Sequence, residues 1–230
     1  GRRVSRRRKN PQCVIAMGRQ TPLHRATPPA PRAVFPPLNP PAHTSRPTRA
    51  RHGVLAFMVT LAVITYVDRV CISPATPAMR HDPGLDEKQM GWVFFAFSAS
   101  YALCEIPAGW MGDRWGPRGV LMKVVVLWSA FTAATGWAWS YVSLLVSRAL
   151  FGVGEAGCFP NAAKIFTIWL PSSERARGQS ILWLSARWGG AFTPWLVAAV
   201  MTYVSWRWTF TIFGAVGVVW AVAFFRWFRD

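Results

Sequence analysis

Residues 54–75 read VLAFMVTLAVITYVDRVCISPA, and this stretch decides the fold. Fourteen residues pass without a charge before Asp68 and Arg69 arrive side by side. Roughly 20 mostly apolar residues are enough for a helix to cross the ~30 Å hydrocarbon core of a bilayer. Five further stretches of this kind follow, at about 90–111, 120–139, 142–167, 180–203 and 209–228, each bounded by charge or by helix-breaking residues. Backbone groups in lipid must pair within their own segment, so all six read as helices.

The rest of the composition agrees. Of 230 residues, 52% are hydrophobic and only 15% charged, with 14 Trp and 15 Phe. A soluble domain of this length does not bury that much apolar surface. The four cysteines (13, 71, 104 and 158) are scattered and mostly inside apolar runs, which excludes a disulfide-built secreted module. Residues 1–52 differ from the remainder: they hold 12 of the 26 basic residues, no acid and 10 of the 18 prolines. Such a segment cannot bury a core and is expected to be a disordered basic tail. An anionic-lipid contact or a nucleic-acid arm are its functional alternatives, and we expect no nucleic-acid partner. The chain opens on Gly1, so an over-extended gene start is a further expectation, with Met17 or Met58 as true starts.

Orientation follows from the basic residues. With the N-terminus inside, the inner side carries the tail plus Arg114, Arg118, Lys123, Arg175, Arg177, Arg226 and Arg229. The outer side carries Arg80, Lys88 and Arg207. A multi-pass protein of the inner (plasma) membrane with a cytoplasmic N-terminus is the expectation.

A mid-span Asp, Lys or Arg costs ~2.5–3.5 kcal/mol on insertion scales, so the residues that bear this cost are functional candidates. They are Asp68 and Arg69 in the first span, Glu105 in the second, Arg148 and Glu155 in the fourth, and Arg187 in the fifth. Arg148 and Glu155 are two turns apart, which puts them on one face ~10.5 Å apart along the axis. Gly152 between them is expected to leave that face open, and Gly154 and Gly157 to allow close packing. Ser98, Tyr101 and Glu105 share a face of the second span in the same way. Three arginines against the two deep carboxylates point to an anionic ligand. A carboxylate in a low-dielectric cavity takes a proton more readily than one in water, making Asp68 and Glu155 candidate proton carriers. The rival reading is structural: Asp68 with Arg148, or Glu155 with Arg69, simply pair and hold the helices together. Asp68, Cys71 and Pro74 also run weakly parallel to Glu155, Cys158 and Pro160.

The segment Gly109-Trp-Met-Gly-Asp113-Arg114-Trp-Gly116-Pro-Arg118 resembles the loop between the second and third spans of the major facilitator superfamily, G-x-L-x-D-R-x-G-R-[RK]. Met111 stands for the usual Leu and Pro117 for a basic residue. Physically, the glycines suit a tight turn, while Asp113, Arg114 and Arg118 are able to latch neighbouring helix ends. The chain further resembles that superfamily's anion:cation symporter branch, the hexuronate, galactonate, glucarate and vesicular glutamate carriers. The resemblance rests on Tyr66-Val-Asp68-Arg69, Gln89-Met-Gly-Trp92, Tyr101-Ala-Leu-Cys-Glu105-Ile-Pro107, Arg148 to Asn161 and Arg187-Trp-Gly-Gly-Ala191, and covers about 53–230.

The resemblance implies an all-α membrane protein, the N-terminal domain of that fold, built as two inverted three-helix repeats. It implies that Arg69 and Arg148 hold a substrate carboxylate, that Tyr66 and Tyr101 help bind it, and that Asp68 and Glu155 couple protons. Gly109, Asp113, Arg114, Gly116 and Arg118 would form the gating loop. The implied function is secondary active transport of a small organic anion such as a sugar acid, with a coupling proton and no cofactor. The partner would be an absent C-terminal six-helix half. Either the chain is a fragment or a half-unit that joins another chain. A non-transporting sensor or scaffold is the alternative. Enzyme action is not expected: the four histidines (24, 43, 52 and 81) lie outside the spans, and no nucleophile–base or metal-ligand spacing is present.

Overall fold

The computed structural model describes residues 50–81 and 84–227. The reading of 1–52 as a tail therefore lies outside the described residues, except that Ala50, Arg51 and His52 form the first turn of α1. Eight helices follow one another: α1 (Ala50–Val70), α2 (Ile72–His81), α3 (Glu87–Trp115), α4 (Pro117–Gly136), α5 (Tyr141–Glu155), α6 (Cys158–Trp169), α7 (Ser172–Met201) and α8 (Trp206–Trp227). α1 and α2 are one rod interrupted at Cys71, and α5 and α6 another, interrupted at Ala156 and Gly157. The described chain is thus six rods, two of them broken.

A proline follows each break, although Pro77, Pro107 and Pro194 lie inside helices that continue. A proline within a helix has no N–H and its ring clashes with the carbonyl four residues earlier. Pro74 sets that clash at Val70, the last residue of α1, and Pro160 sets it at Ala156, just past the end of α5. The faint parallel between the first and fourth spans is therefore a shared local geometry: a carboxylate, then a break, then a proline. Elsewhere the ends are ordinary. Asp86 caps α3 in a reciprocal box with Gln89, Ser140 and Ser143 do the same for α5, and Gly116 makes the α3–α4 turn at φ +85°.

Four rods are long and apolar enough by composition to cross a membrane: Ala50–His81, Pro117–Gly136, Tyr141–Trp169 and Trp206–Trp227. α3 and α7 are longer than needed, at 29 and 30 residues, but less apolar, each carrying an ionisable residue along its length, Glu105 and Arg187. These two helices also present rows of exposed large apolar residues, Trp92, Phe95, Leu103 and Ile106 on α3 and Trp188, Phe192 and Trp195 on α7.

The main packing partners are α4 with α8, α3 with α5, α1 with α7 and α4 with α5. Small residues bring backbones close at these crossings, as in membrane bundles generally. A Cβ built on Gly189 would lie 2.9 Å from the Val63 carbonyl oxygen of α1. The expectation that Gly152 opens the face of the fourth span is corrected here. A Cβ on Gly152 would lie 2.6 Å from the Phe97 carbonyl oxygen and 3.1 Å from the Tyr101 nitrogen, so α3 itself fills the space. Gly154 packs similarly, against the backbone of Trp128 on α4.

Gly152→Ala should therefore push α3 off α5 and destabilise the bundle by about 1–3 kcal/mol. Gly91→Ala on the same α3, with nothing within 4 Å of the added carbon, should be stabilising by about 0.5–1 kcal/mol. Thermal unfolding of the two variants in one detergent checks the contrast.

Candidate functional site

The last turn of α1 carries three side chains that diverge. Arg69 leans toward α3 and α5, Tyr66, three residues before it, packs against Phe159 of α6 and Gly190 of α7, and Asp68 turns toward α4. The Arg69 guanidinium reaches Glu155, the last residue of α5, with Nη2 2.5 Å and Nε 2.8 Å from the same carboxylate oxygen. Rings stand around this guanidinium: Tyr101 at 4.6 Å, Tyr66 at 5.0 Å and Phe97 at 5.4 Å from centroid to carbon. Each such contact contributes ~0.5–2 kcal/mol according to how dry it is. The Glu155 side chain is fully buried, whereas that of Arg69 is 23% exposed, so the cation is the half of the pair that meets the surface.

Arg148, two turns before Glu155 on α5, is 1% exposed. Its guanidinium carbon lies 4.4 Å from the Phe151 ring centroid and 5.2 Å from that of Phe97. Among the described residues no carboxylate comes within ion-pair distance of it, and its Nε and Nη1 are buried without a hydrogen-bond partner. Phe97 lies within reach of both arginines and joins them into one cluster.

Asp68 is equally buried, and its Oδ2 accepts a hydrogen bond from the Trp128 indole at 3.1 Å, while Oδ1 has no partner. Of the two ion pairs that the sequence offered, one is made, Arg69 with Glu155, and the other is not. Asp68 accepts its hydrogen bond from Trp128 of α4 instead of from Arg148. Arg187 is exposed on α7, so two arginines, Arg148 buried and Arg69 partly buried, stand with two buried carboxylates and not three against two. Among the described residues the half-buried Glu105 has no hydrogen bond or ion pair, and Ser98 bonds only the Phe94 carbonyl of its own helix.

The two helix breaks adjoin this cluster. The Cys71 thiol donates to the Asp68 carbonyl at 3.1 Å, and the Cys158 sulfur lies 3.4 Å from the Thr65 hydroxyl of α1. Sequence reasoning did not single out Phe97, Phe151 or Trp128. Phe97 stands four residues before Tyr101 and Phe151 three after Arg148, so both fall on faces already marked by charge. A tryptophan in mid-span needs an acceptor for its N–H, which was the available signal for Trp128.

The loop motif makes a second cluster at the far end of α3. Asp113 is ion-paired with Lys164 of α6, whose ammonium also donates to the Gly112 carbonyl at 3.2 Å. Asn161 donates to the Ala108 carbonyl at 3.3 Å, and Gly109 packs against the Pro160 ring. Arg118 donates to the Phe225 carbonyl of α8 at 3.2 Å, and Arg114 lies over Trp110. Of the motif's glycines, Gly116 makes the turn; Gly109 and Gly112 instead let α6 come close.

Comparison with known proteins agrees with this architecture. The family model described as Major Facilitator Superfamily matches residues 58–230. The chain is 41% identical over 182 residues to the probable sulfoacetate transporter SauU of Cupriavidus necator, covering 79% of this chain and 42% of that one. It is 33% identical over 186 residues to the D-galactonate transporter of Escherichia coli O6:H1, covering 81% and 43%. A crystal structure of a bacterial homolog to the human lysosomal transporter Spinster, inward-facing and occupied, superposes with a TM-score of 0.66 at 25% identity, covering 78% of this chain and 44% of that one. The chain thus spans less than half the length of these relatives. All are transporters rather than enzymes, and the fold is that of a multi-pass membrane protein.

The indole bond to Asp68 is testable by a double-mutant cycle. Trp128→Phe should destabilise the protein by about 1–3 kcal/mol through the unpartnered carboxyl, and most of that coupling should vanish when Asp68→Asn is already present. Equal losses in both backgrounds would mean that the ring's packing, and not its N–H, matters.

Proposed function

The chain belongs to the major facilitator superfamily, and from that membership we propose that it is the N-terminal half of a secondary transporter for small organic anions, driven by protons. The observation that carries this reading is Arg148: a fully buried cation with two unpartnered nitrogens and no carboxylate in contact. Leaving a buried charge unanswered costs several kcal/mol, and an anionic substrate entering beside it would offset that cost. The relatives named for sulfoacetate and D-galactonate, together with one named for hexuronate, have in common a small polar body ending in a carboxylate or sulfonate. A sugar acid or similar oxoanion is the proposed substrate class.

In this reading Arg69 and Arg148 grip the substrate's acidic group, and Tyr66 and Tyr101 contact its body. Glu155 competes with the substrate for Arg69. A proton arriving on Glu155 weakens the ion pair and frees the guanidinium, so proton and anion load together. Asp68 serves as the second proton carrier. The exposed apolar faces of α3 and α7 receive the C-terminal six-helix half, against which this half rocks. The Arg51 end of α1 faces the cytoplasm by the excess of basic residues there, in the inner membrane. The Asp113–Lys164 latch then lies on the cytoplasmic side and steadies the conformation in which the two halves close there.

Reconstitution of the full-length protein in liposomes tests the scheme. Glu155→Gln should abolish uphill uptake driven by a pH gradient while sparing counterflow exchange; intact uphill uptake would remove Glu155 from coupling. Arg148→Ala should weaken substrate binding about thirtyfold or more, and unchanged affinity would remove Arg148 from the site. A sensor or scaffold would show binding with no uptake at all.

A further inference from the structure

A separate cavity of about 180 Å³ opens where the first turns of α1 and α7 meet. Its polar wall is Arg51, His52, Glu174 and Arg177, and Leu55 and Ile181 are part of its apolar wall. Arg51 lies 18 residues before Arg69 on the same helix, so this cavity is ~27 Å along the axis from the buried arginine cluster. The apolar run of α1 begins at Val54, three residues beyond Arg51, which sets the cavity at the membrane–water boundary.

The charge at this place is not balanced. Arg51 Nη1 pairs with Glu174 at 2.7 Å, but Arg51 Nε is buried with no hydrogen-bond partner. Arg177 has neither ion pair nor hydrogen bond among the described residues. Arg175, its near neighbour, is occupied elsewhere, donating to the carbonyls of Leu170 and Thr167 at the end of α6. One carboxylate therefore faces two arginines and a histidine beside the positive end of the α7 dipole. The combination of unanswered basic groups with an apolar floor suits a ligand whose head is an oxoanion.

We propose that this cavity is a second anion site, distinct from the transport cluster, which binds a phosphate group through Arg51 and Arg177. The phosphate comes from the headgroup of an anionic phospholipid, whose chain runs along Leu55 and Ile181, or from free inorganic phosphate; the chemistry at the arginines is the same.

The protein purified in mild detergent and stripped of lipid distinguishes these sources by native mass spectrometry. Phosphatidylglycerol should be retained in preference to phosphatidylcholine. Arg177→Gln, which removes no hydrogen bond or ion pair among the described residues, should lower that retention about tenfold or more, and Arg177→Lys should restore part of it. If inorganic phosphate gives an Arg177-dependent rise in unfolding temperature while the two lipids bind alike, the site stands and free phosphate is its ligand. If Arg177→Gln changes neither lipid retention nor the phosphate effect, the proposal is overturned.

Discussion

Taking a charge out of water into the middle of a bilayer costs several kcal/mol unless a nearby group answers it, and the four deep ionisable residues are answered in three different ways. Arg69 and Glu155 answer each other through an ion pair. Asp68 is answered in part by the Trp128 indole. Arg148 has the faces of Phe97 and Phe151 and no ion pair or hydrogen bond among the described residues. The rest of the half-bundle follows from these arrangements. α3 must come close enough to α5 for Phe97 and Tyr101 to reach the arginines, which is why Gly152 carries no side chain. α5 must also come close to α4, and Gly154 allows it there, beside the Trp128 backbone.

The broken rods belong to the same arrangement. An unbroken helix has its carbonyls engaged and presents only side chains to its neighbours. At the first break the Cys71 thiol donates to the Asp68 carbonyl, beside the charges. Arg69 lies in the last turn of α1, where the negative end of the helix dipole favours a cation. Glu155 lies at the same end of α5, where the dipole works against a carboxylate, and among the described residues Arg69 is the cation that pairs with it. The pair therefore does more than join two helices: without Arg69, the carboxylate would face the dipole and the dry interior at once.

Much of this was legible before any coordinates. Charges in apolar runs are conspicuous because lipid penalises them, so Asp68, Arg69, Arg148 and Glu155 stood out on cost alone. The Gly109–Arg118 segment stood out by its order of residue types. The partners were not legible for a plain reason: an aromatic residue in a membrane span is unremarkable in sequence, and only its placement separates Phe97, Phe151 and Trp128 from the rows of Trp and Phe on outer faces. Lys164 and Asn161, which hold the Asp113 end of α3, were hidden similarly, since nothing local ties α6 to a loop some 50 residues earlier. The Gly152 reading failed because a missing side chain looks like empty space in sequence, whereas at a helix crossing it is where the neighbouring backbone lies. Which carboxylate pairs with which arginine depends on helix rotation, and sequence spacing leaves that open.

Charge balance then connects the geometry with the proposed coupling. With both carboxylates ionised, Arg69, Arg148 and the two buried acids sum to zero, and the empty site is neutral. Adding a monovalent anion alone would leave the interior at −1, and adding a proton alone would leave it at +1; each state carries the penalty of an uncompensated charge in a low-dielectric medium. Adding both together returns the sum to zero. On the proposed reading, proton and anion would bind jointly because either one alone is expensive. In the proposed scheme the route is local: the proton would go to Glu155, the anion would take that carboxylate's place at Arg69, and Arg148, without an ion pair among the described residues, would supply the second contact. A closed set of two internal ion pairs would also have been neutral, but it would have had no cation to offer and no cost for an anion to relieve.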